Sequence, residues 1–453
     1  MAKITLRQAA QWCDGRVEEK YADITFLGAN NDSRKIQPGQ LFLALQGERD
    51  GHDFIPMAME KGAAAVLCSR PCGDVPAIIV EDPLTALGKI ARCECSRIGM
   101  KIIGVTGSLG KSTTKEMIAC VLEGSFRVEK TPANHNNDIG MPMAILAMPE
   151  DTQVAVLEMG MNHFREIAYL SDIAHPDMAV IINVGTAHIE HLGSREGILQ
   201  AKMEILEGLK PGGKAIFNGD DDMLWSRRKN ASVEPCYFGC VNEKCQIRAE
   251  EITVIDRMPC FKVVTDSVSF PVVLNVEGKH YVPDALAAIS VGLEMGIAPE
   301  QIQQRLAEFH NMAGRQEIFE KNGYTIIKDC YNAGPESMAA ALAVLGAREG
   351  RHVAVLGDML ELGPRTQAEH YRVGRIAAEK ADILLTYGPN GSRVISGAIT
   401  GGMPDTKAKP FEDRENLVAE LKRIVKPGDV ILVKGSRGMR MELILEAFLA
   451  EET

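Results

Sequence analysis

Nine consecutive residues constrain this chain most: Val105-Thr106-Gly107-Ser108-Leu109-Gly110-Lys111-Ser112-Thr113. They follow the apolar run Ile102-Ile103-Gly104-Val105, which reads as a buried strand, and open into a helical pattern over 113–122. A strand, a glycine turn and Lys-Ser at a helix start is an arrangement in which backbone amides converge on phosphate. The helix N-terminus adds partial positive charge and Lys111 neutralises the terminal phosphates. Ser112 is placed to hold magnesium. Val105 stands where the longer phosphate loop has glycine, so this is the shorter G-x-x-G-K-[ST] form. Gly107, Ser108, Leu109, Gly110, Lys111, Ser112 and Thr113 are the expected nucleotide cradle, and the expected ligand is a nucleoside triphosphate.

At 453 residues the chain is too long for one core, and about three domains are expected. A net charge of −11 argues against non-specific nucleic-acid binding. Residues 1–10 carry no apolar signal core, and no apolar run approaches the roughly 18 residues of a membrane span. Eleven cysteines without an export signal fit reduced thiols in a cytoplasm. Cys236, Cys240 and Cys245 lack C-x-x-C spacing and a neighbouring histidine; they read as structural or surface thiols, with a zinc site as the alternative.

The fold class expected is α/β in three domains. Residues 1–98 form a small α/β domain. Residues 99–313 hold the phosphate loop on a parallel sheet with helices, followed by a β-rich stretch over 235–274. In residues 314–453, strand patterns at 324–328, 353–356, 383–386 and 430–433 alternate with helical ones at 369–380 and 414–425. Such alternation marks a Rossmann-like parallel sheet.

Two further strand ends converge on the same rim. Val154-Ala155-Val156-Leu157-Glu158 is an apolar run closed by one acid, which places Glu158 to bind magnesium opposite Ser112. The run over 178–184 leads to His188. On a helix expected over 196–209, steps of about 100° put Ile198, Ile205 and Leu209 in one arc with Leu199 and Leu206 beside them, and Lys202 in the middle of that apolar face. A lysine there either snorkels outward, pairs with an acid, or is buried with a depressed pKa. In the last case the neutral amine is able to take up carbon dioxide as a carbamate, an anionic ligand for magnesium beside His188.

These motifs occur in a fixed order: the phosphate loop, Asn134-His135-Asn136-Asn137-Asp138-Ile139-Gly140-Met141-Pro142, Glu158-Met159-Gly160-Met161-Asn162-His163, His188, and Ala201-Lys202-Met203-Glu204-Ile205. The order resembles that of the Mur ligases, ATP-dependent amide-forming enzymes of peptidoglycan precursor synthesis, and the resemblance spans essentially the whole chain. Asp329-Cys330-Tyr331-Asn332-Ala333-Gly334-Pro335-Glu336-Ser337-Met338, Gly357-Asp358-Met359-Leu360-Glu361-Leu362-Gly363 and Lys434-Gly435-Ser436-Arg437 are similar to the member that uses D-alanyl-D-alanine as acceptor and a UDP-muramoyl tripeptide as donor.

The resemblance implies catalytic roles for Lys111, Lys202 and His188, and two magnesium ions on Ser112, Glu158, His188 and carbamylated Lys202. It implies UDP-sugar or substrate contacts from Ser33, Arg34, Asn137 and Asn332, and ATP contacts from Asp284, Arg315 and Asp329. A cytoplasmic monomer is expected. Leu109, His135 and Gly334 depart from the usual residues, and the adenine-side segment reads His280-Tyr281-Val282-Pro283-Asp284-Ala285 in place of His-Asn-x-x-Asn-Ala. Asp284 accepts a hydrogen bond there but cannot donate as an amide does. The alternatives are a ligase of this kind with another amine acceptor, and a non-catalytic nucleotide-binding scaffold.

Overall fold

The computed structural model describes residues 3–187, 189–229 and 233–450. The chain divides into two compact units: Met1–Val184 with Leu199–Arg248 and Pro283–Arg305, and Gly185–Ile198 with Ala249–Val282 and Leu306–Thr453. It is mixed α/β throughout, as expected.

The first unit holds a short antiparallel pair, Ile4–Thr5 with Thr25–Phe26, and two parallel sheets. The N-terminal one orders Ala29–Asn30, Leu41–Leu43, Ala65–Cys68 and Ala77–Ile79, all parallel. Alternation along the strands divides its faces. Leu41, Leu43, Ala65 and Leu67 pack toward the helices Leu6–Trp12 and Pro83–Ile98, while Phe42, Val66 and Cys68 pack toward Ile55–Glu60. Helix Pro83–Ile98 starts where the Asp82 carboxylate accepts from the Leu84 and Thr85 amides, with Pro83 at the first helical position. It ends at Gly99, φ 72°. Arg97 reaches from it to Glu150, so the N-terminal sheet and the phosphate-loop sheet belong to one unit.

The strands Val128–Lys130, Val154–Glu158, Lys101–Thr106, Met178–Ile181, Lys214–Asn218 and Cys236–Gly239 of the nine-stranded sheet lie in that order within this unit, each parallel to its neighbours. Ile102, Ile103 and Val105 are buried, as a strand covered by helices on both faces requires. The phosphate-loop helix runs Lys111–Glu123, beginning two residues earlier than its apolar pattern.

The helix expected over 196–209 is shorter. It is α-helical over Arg195–Met203 and tightens to a 3₁₀ turn at Glu204–Leu206. Two side-chain interactions stop it. The Ser171 hydroxyl donates to the Ile205 carbonyl at 2.6 Å, and the Glu204 carboxylate accepts from the Arg165 and Ala168 amides. That carbonyl is thereby engaged outside the helical ladder. Ile198, Leu199 and Ile205 are buried as the wheel requires, whereas Leu206 and Leu209, at and beyond the tightened end, are half-buried.

In the second unit, Met258–Val264 pairs antiparallel with Ser269–Val273, within the stretch expected to be β-rich. Its main sheet orders Glu317–Lys321, Tyr324–Asp329, Val430–Lys434, His352–Gly357, Ile383–Tyr387 and Ala408–Phe411. All neighbours are parallel except the first pair. The expected strands and helices are present; the helices are Thr366–Lys380 and Arg414–Ile424. The edge strands Glu317–Lys321 and Ala408–Phe411 are additional. Among the described residues, no helix is long and apolar enough to cross a membrane.

Candidate active site

The site in the first unit is built on the carboxyl ends of three adjacent strands, Val154–Glu158, Lys101–Thr106 and Met178–Ile181, where ligands of open α/β sheets gather. Gly110 turns the loop into its helix with φ 80°, a backbone conformation that side chains rarely adopt. A Cβ there would lie 2.5 Å from the Asp284 carboxylate. Glycine is therefore required twice over.

Asn183 holds the loop in place. Its Oδ1 accepts from the Ser108 and Leu109 amides, both at 2.9 Å, and its Nδ2 donates to the Leu109 carbonyl at 3.1 Å. The strand over 178–184 is correspondingly shorter than its pattern, since Asn183 has left the ladder to clamp the turn. The Lys111 ammonium folds back to the Gly107 carbonyl at 2.9 Å. Leu109, unusual in such a loop, contributes through its backbone.

Ser112 and Glu158, both buried, meet directly. The Ser112 hydroxyl donates to Glu158 Oε2 at 2.7 Å, and Asn136 Nδ2 donates to Oε1 at 2.8 Å. Thr131 supports the strand end, its Oγ1 accepting from the Glu158 amide while its carbonyl accepts from buried Lys115. A hydroxyl, a carboxylate and an amide within one cluster form an oxygen-rich set suited to magnesium, which keeps waters and phosphate oxygens among its ligands. Among the described residues no three His, Cys, Asp or Glu side chains converge on a metal position. Cys236, Cys240 and Cys245 form no such cluster; burial raises their thiols to about 11, 12 and 12.

Lys202 is 2 % exposed. Burial depresses its pKa far below the ordinary value, the Lys111 charge lowers it further, and Asp221 opposes both. Snorkelling is thus excluded for this lysine. Asp221 is fixed by the Val184 amide and by capping the helix Asp222–Ser226. His188 lies outside the described residues. Asp284, assigned to the adenine side, has its Oδ1 accepting from Thr114 Oγ1 at 2.9 Å beside the phosphate loop. Thr113 follows Ser112 in the first turn, and Asn137 caps the Gly140 amide at 2.8 Å.

On the N-terminal sheet, Ser33 is buried with its hydroxyl 3.4 Å from Met57 Sδ. Arg34 is exposed and holds Asp32 through Nε and a terminal nitrogen, 2.9 and 3.0 Å, which lowers the Asp32 carboxyl to about 2.

The second unit has its own strand-end cluster. The Asp329 carboxylate accepts from the buried Lys434 ammonium at 2.5 Å and from the Gln316 amide at 3.3 Å. Lys434 also donates to the Asn332 carbonyl at 3.0 Å. The Arg315 guanidinium lies 4.0 Å from the centre of the Tyr331 ring. His280 lies exposed at the surface, yet crowding by the protein lowers its imidazole to about 4, with Asp329 opposing the effect and Lys434 adding to it. Arg315, Asp329 and Asn332 thus share one cluster. Sequence reasoning gave no role to Asn183, Asn136 or Lys434, although Asn183 and Lys434 follow apolar runs at strand ends, the cue that picked out Glu158.

Three profiles match the chain in sequence: the Mur ligase family catalytic domain over residues 23–93, the Mur ligase middle domain over 105–292, and the Mur ligase glutamate ligase domain over 314–437. The chain is 39% identical over 457 residues to the UDP-N-acetylmuramoyl-tripeptide–D-alanyl-D-alanine ligase of Bacillus subtilis, covering 98% of each. It is similar to the crystal structure of MurF from Acinetobacter baumannii, with a TM-score of 0.91, 33% identity and 100% of both chains covered. It also resembles the MurF ligase of Thermotoga maritima in complex with ADP, with a TM-score of 0.81 and 31% identity over 93% of this chain and 97% of that one.

Proposed function

The chain belongs to the Mur ligase family, and from that premise we propose that it joins D-alanyl-D-alanine to a UDP-N-acetylmuramoyl tripeptide at the expense of ATP. The carrying observation is the Ser112–Glu158 pair beside a lysine-bearing phosphate loop, in a chain matching the Bacillus subtilis ligase of that name along its whole length.

A carboxylate is a poor electrophile, and its oxide is a poor leaving group. In the proposed reaction a tripeptide carboxylate oxygen attacks the γ-phosphorus of ATP and ADP leaves. The acyl phosphate is then attacked by the dipeptide amine, the tetrahedral species collapses, and phosphate departs with the oxygen it received; the amine loses a proton. The chief obstacle is repulsion between two anions that must touch, so charge neutralisation and positioning dominate.

The residues divide that work. Asn183 holds the loop amides in register, Lys111 turns from Gly107 toward the terminal phosphates, and the first turn of Lys111–Glu123 presents its amides. Ser112 and Glu158 would hold one magnesium ion, and His188 with carbamylated Lys202 a second, supplying positive charge beside the transferred phosphoryl group. Lys202 suits carbamylation because burial favours the neutral amine that reacts with carbon dioxide. Arg315, Asp329 and Asp284 are assigned to ATP, Asn137 and Asn332 to the substrates, and Ser33 and Arg34 to the UDP-sugar end. Residues 1–98, 99–313 and 314–453 would serve as donor, ATP and acceptor domains of a cytoplasmic monomer.

Incubating the chain with tripeptide, dipeptide and ATP should release one phosphate per amide formed. ATP turnover that ignores the dipeptide, or strict preference for another amine, would refute the assignment.

A further inference from the structure

Of the segments that set this chain apart within its resemblance, 357–363 and the residues that follow Lys434, 435–437, have no role in the chemistry above. Ser436, buried between them, links both to the Asn332 segment. Its amide donates to the Asp358 carbonyl at 3.1 Å; its hydroxyl donates to the Ala333 carbonyl at 3.2 Å and accepts from the Leu360 amide at 2.9 Å. One serine thus fixes three segments that follow the adjacent strands Tyr324–Asp329, Val430–Lys434 and His352–Gly357.

The side chains presented there are unlike the core beneath them. Leu360 is 44% exposed, unusual for a leucine whose backbone is so firmly held. Its tip covers Gly438, where a Cβ would come within 2.9 Å of Cδ1. Next to Gly438, the Arg437 side chain is 68% exposed and touches Glu442 at 3.1 Å, an ion pair that solvent screens. An apolar side chain and a guanidinium are therefore displayed on neighbouring positions of a rigid strand-end platform.

We propose that Leu360 and Arg437 are the specificity-determining residues for the amino acceptor: Leu360 packs against its alanyl methyl groups and Arg437 binds its terminal carboxylate. This rests on the acceptor being D-alanyl-D-alanine. That dipeptide carries two methyl groups and one carboxylate, and a guanidinium offers the carboxylate paired donors. Lacking a cation, the same platform would not tell a dipeptide from its amide.

The test compares D-alanyl-D-alanine with D-alanyl-D-alaninamide, using the full chain, UDP-muramoyl tripeptide and ATP. The unaltered chain should favour the acid by at least about 20-fold in kcat/KM. R437Q should bring that preference to within about threefold of unity, and R437K should retain most of it. L360A should raise the dipeptide KM about five- to tenfold while the KM for ATP stays put. Both side chains are exposed, and an unchanged thermal midpoint separates these effects from misfolding. Retention of the acid preference in R437Q, or an unaltered dipeptide KM in L360A, would overturn the proposal while leaving the reaction intact. Absence of dipeptide-dependent turnover in the unaltered chain would instead overturn the reaction, and the acceptor seat with it.

Discussion

The Ser112 hydroxyl donates to Glu158 across 2.7 Å, joining the first turn of the phosphate-loop helix to the end of a neighbouring strand. Both Glu158 oxygens accept, one from Ser112 and one from Asn136. Changing Glu158 to glutamine sets an amide donor against those donors and removes a negative charge. The E158Q chain should fold normally and lose at least about 100-fold in kcat, as expected when a group stabilising transition-state charge is removed. Steady-state rates across a magnesium titration check this, and E158D should recover activity at high magnesium.

Asn183 is expected to matter for nucleotide affinity rather than for chemistry. Its carboxamide oxygen accepts two loop amides, so N183A removes both bonds without touching the reacting groups. Losing partners for loop amides costs about 1–3 kcal/mol, which corresponds to a roughly 5- to 150-fold weaker Kd for ADP. Calorimetric titration of ADP into the variant measures it.

Lys202 combines functional and energetic consequences. K202A should be inactive, and a short carboxylic acid added to the assay should restore part of the rate by replacing the carbamate. Burying a lysine amine among apolar side chains is costly, so K202M should be more stable than the unaltered chain by about 1–3 kcal/mol, measured in metal- and carbonate-free buffer. Lower stability in K202M, together with no rescue of K202A, would contradict this role.

His280 gives stability a definite pH dependence. Its pKa is about 4 in the fold against an ordinary 6.5, so the unfolded chain takes up the proton first as pH falls. Its contribution is intact above about 6.5 and is lost progressively toward 4, an effect that solvent weakens because the residue lies exposed at the surface. H280Q should flatten that acid limb, measured as the change in urea midpoint between about pH 7 and pH 5.

Much of this was readable from residue order because strands buried on both faces leave long apolar runs, and their polar terminators mark the rim. Glu158 was identified in that way, and Lys202 stood out because a helical wheel makes a charge in an apolar arc conspicuous. The early end of that helix was not visible. It depends on Ser171 reaching the Ile205 carbonyl from another helix, a tertiary contact absent from any local pattern. Asn183 shows a different shortfall: its position at a strand end was readable, but its pairing with residues 74 and 75 positions away exists only once the sheet is assembled. The edge strand Ala408–Phe411 escaped notice because Pro410 and alternating burial disguise a four-residue strand.

The most direct test of activation at the phosphate loop follows an oxygen atom. Tripeptide labelled with oxygen-18 in the reacting carboxylate should pass one labelled oxygen to the released phosphate for every amide formed, detected by mass spectrometry. Phosphate free of label would show that the carboxylate never attacks ATP, and would contradict amide formation through an acyl phosphate.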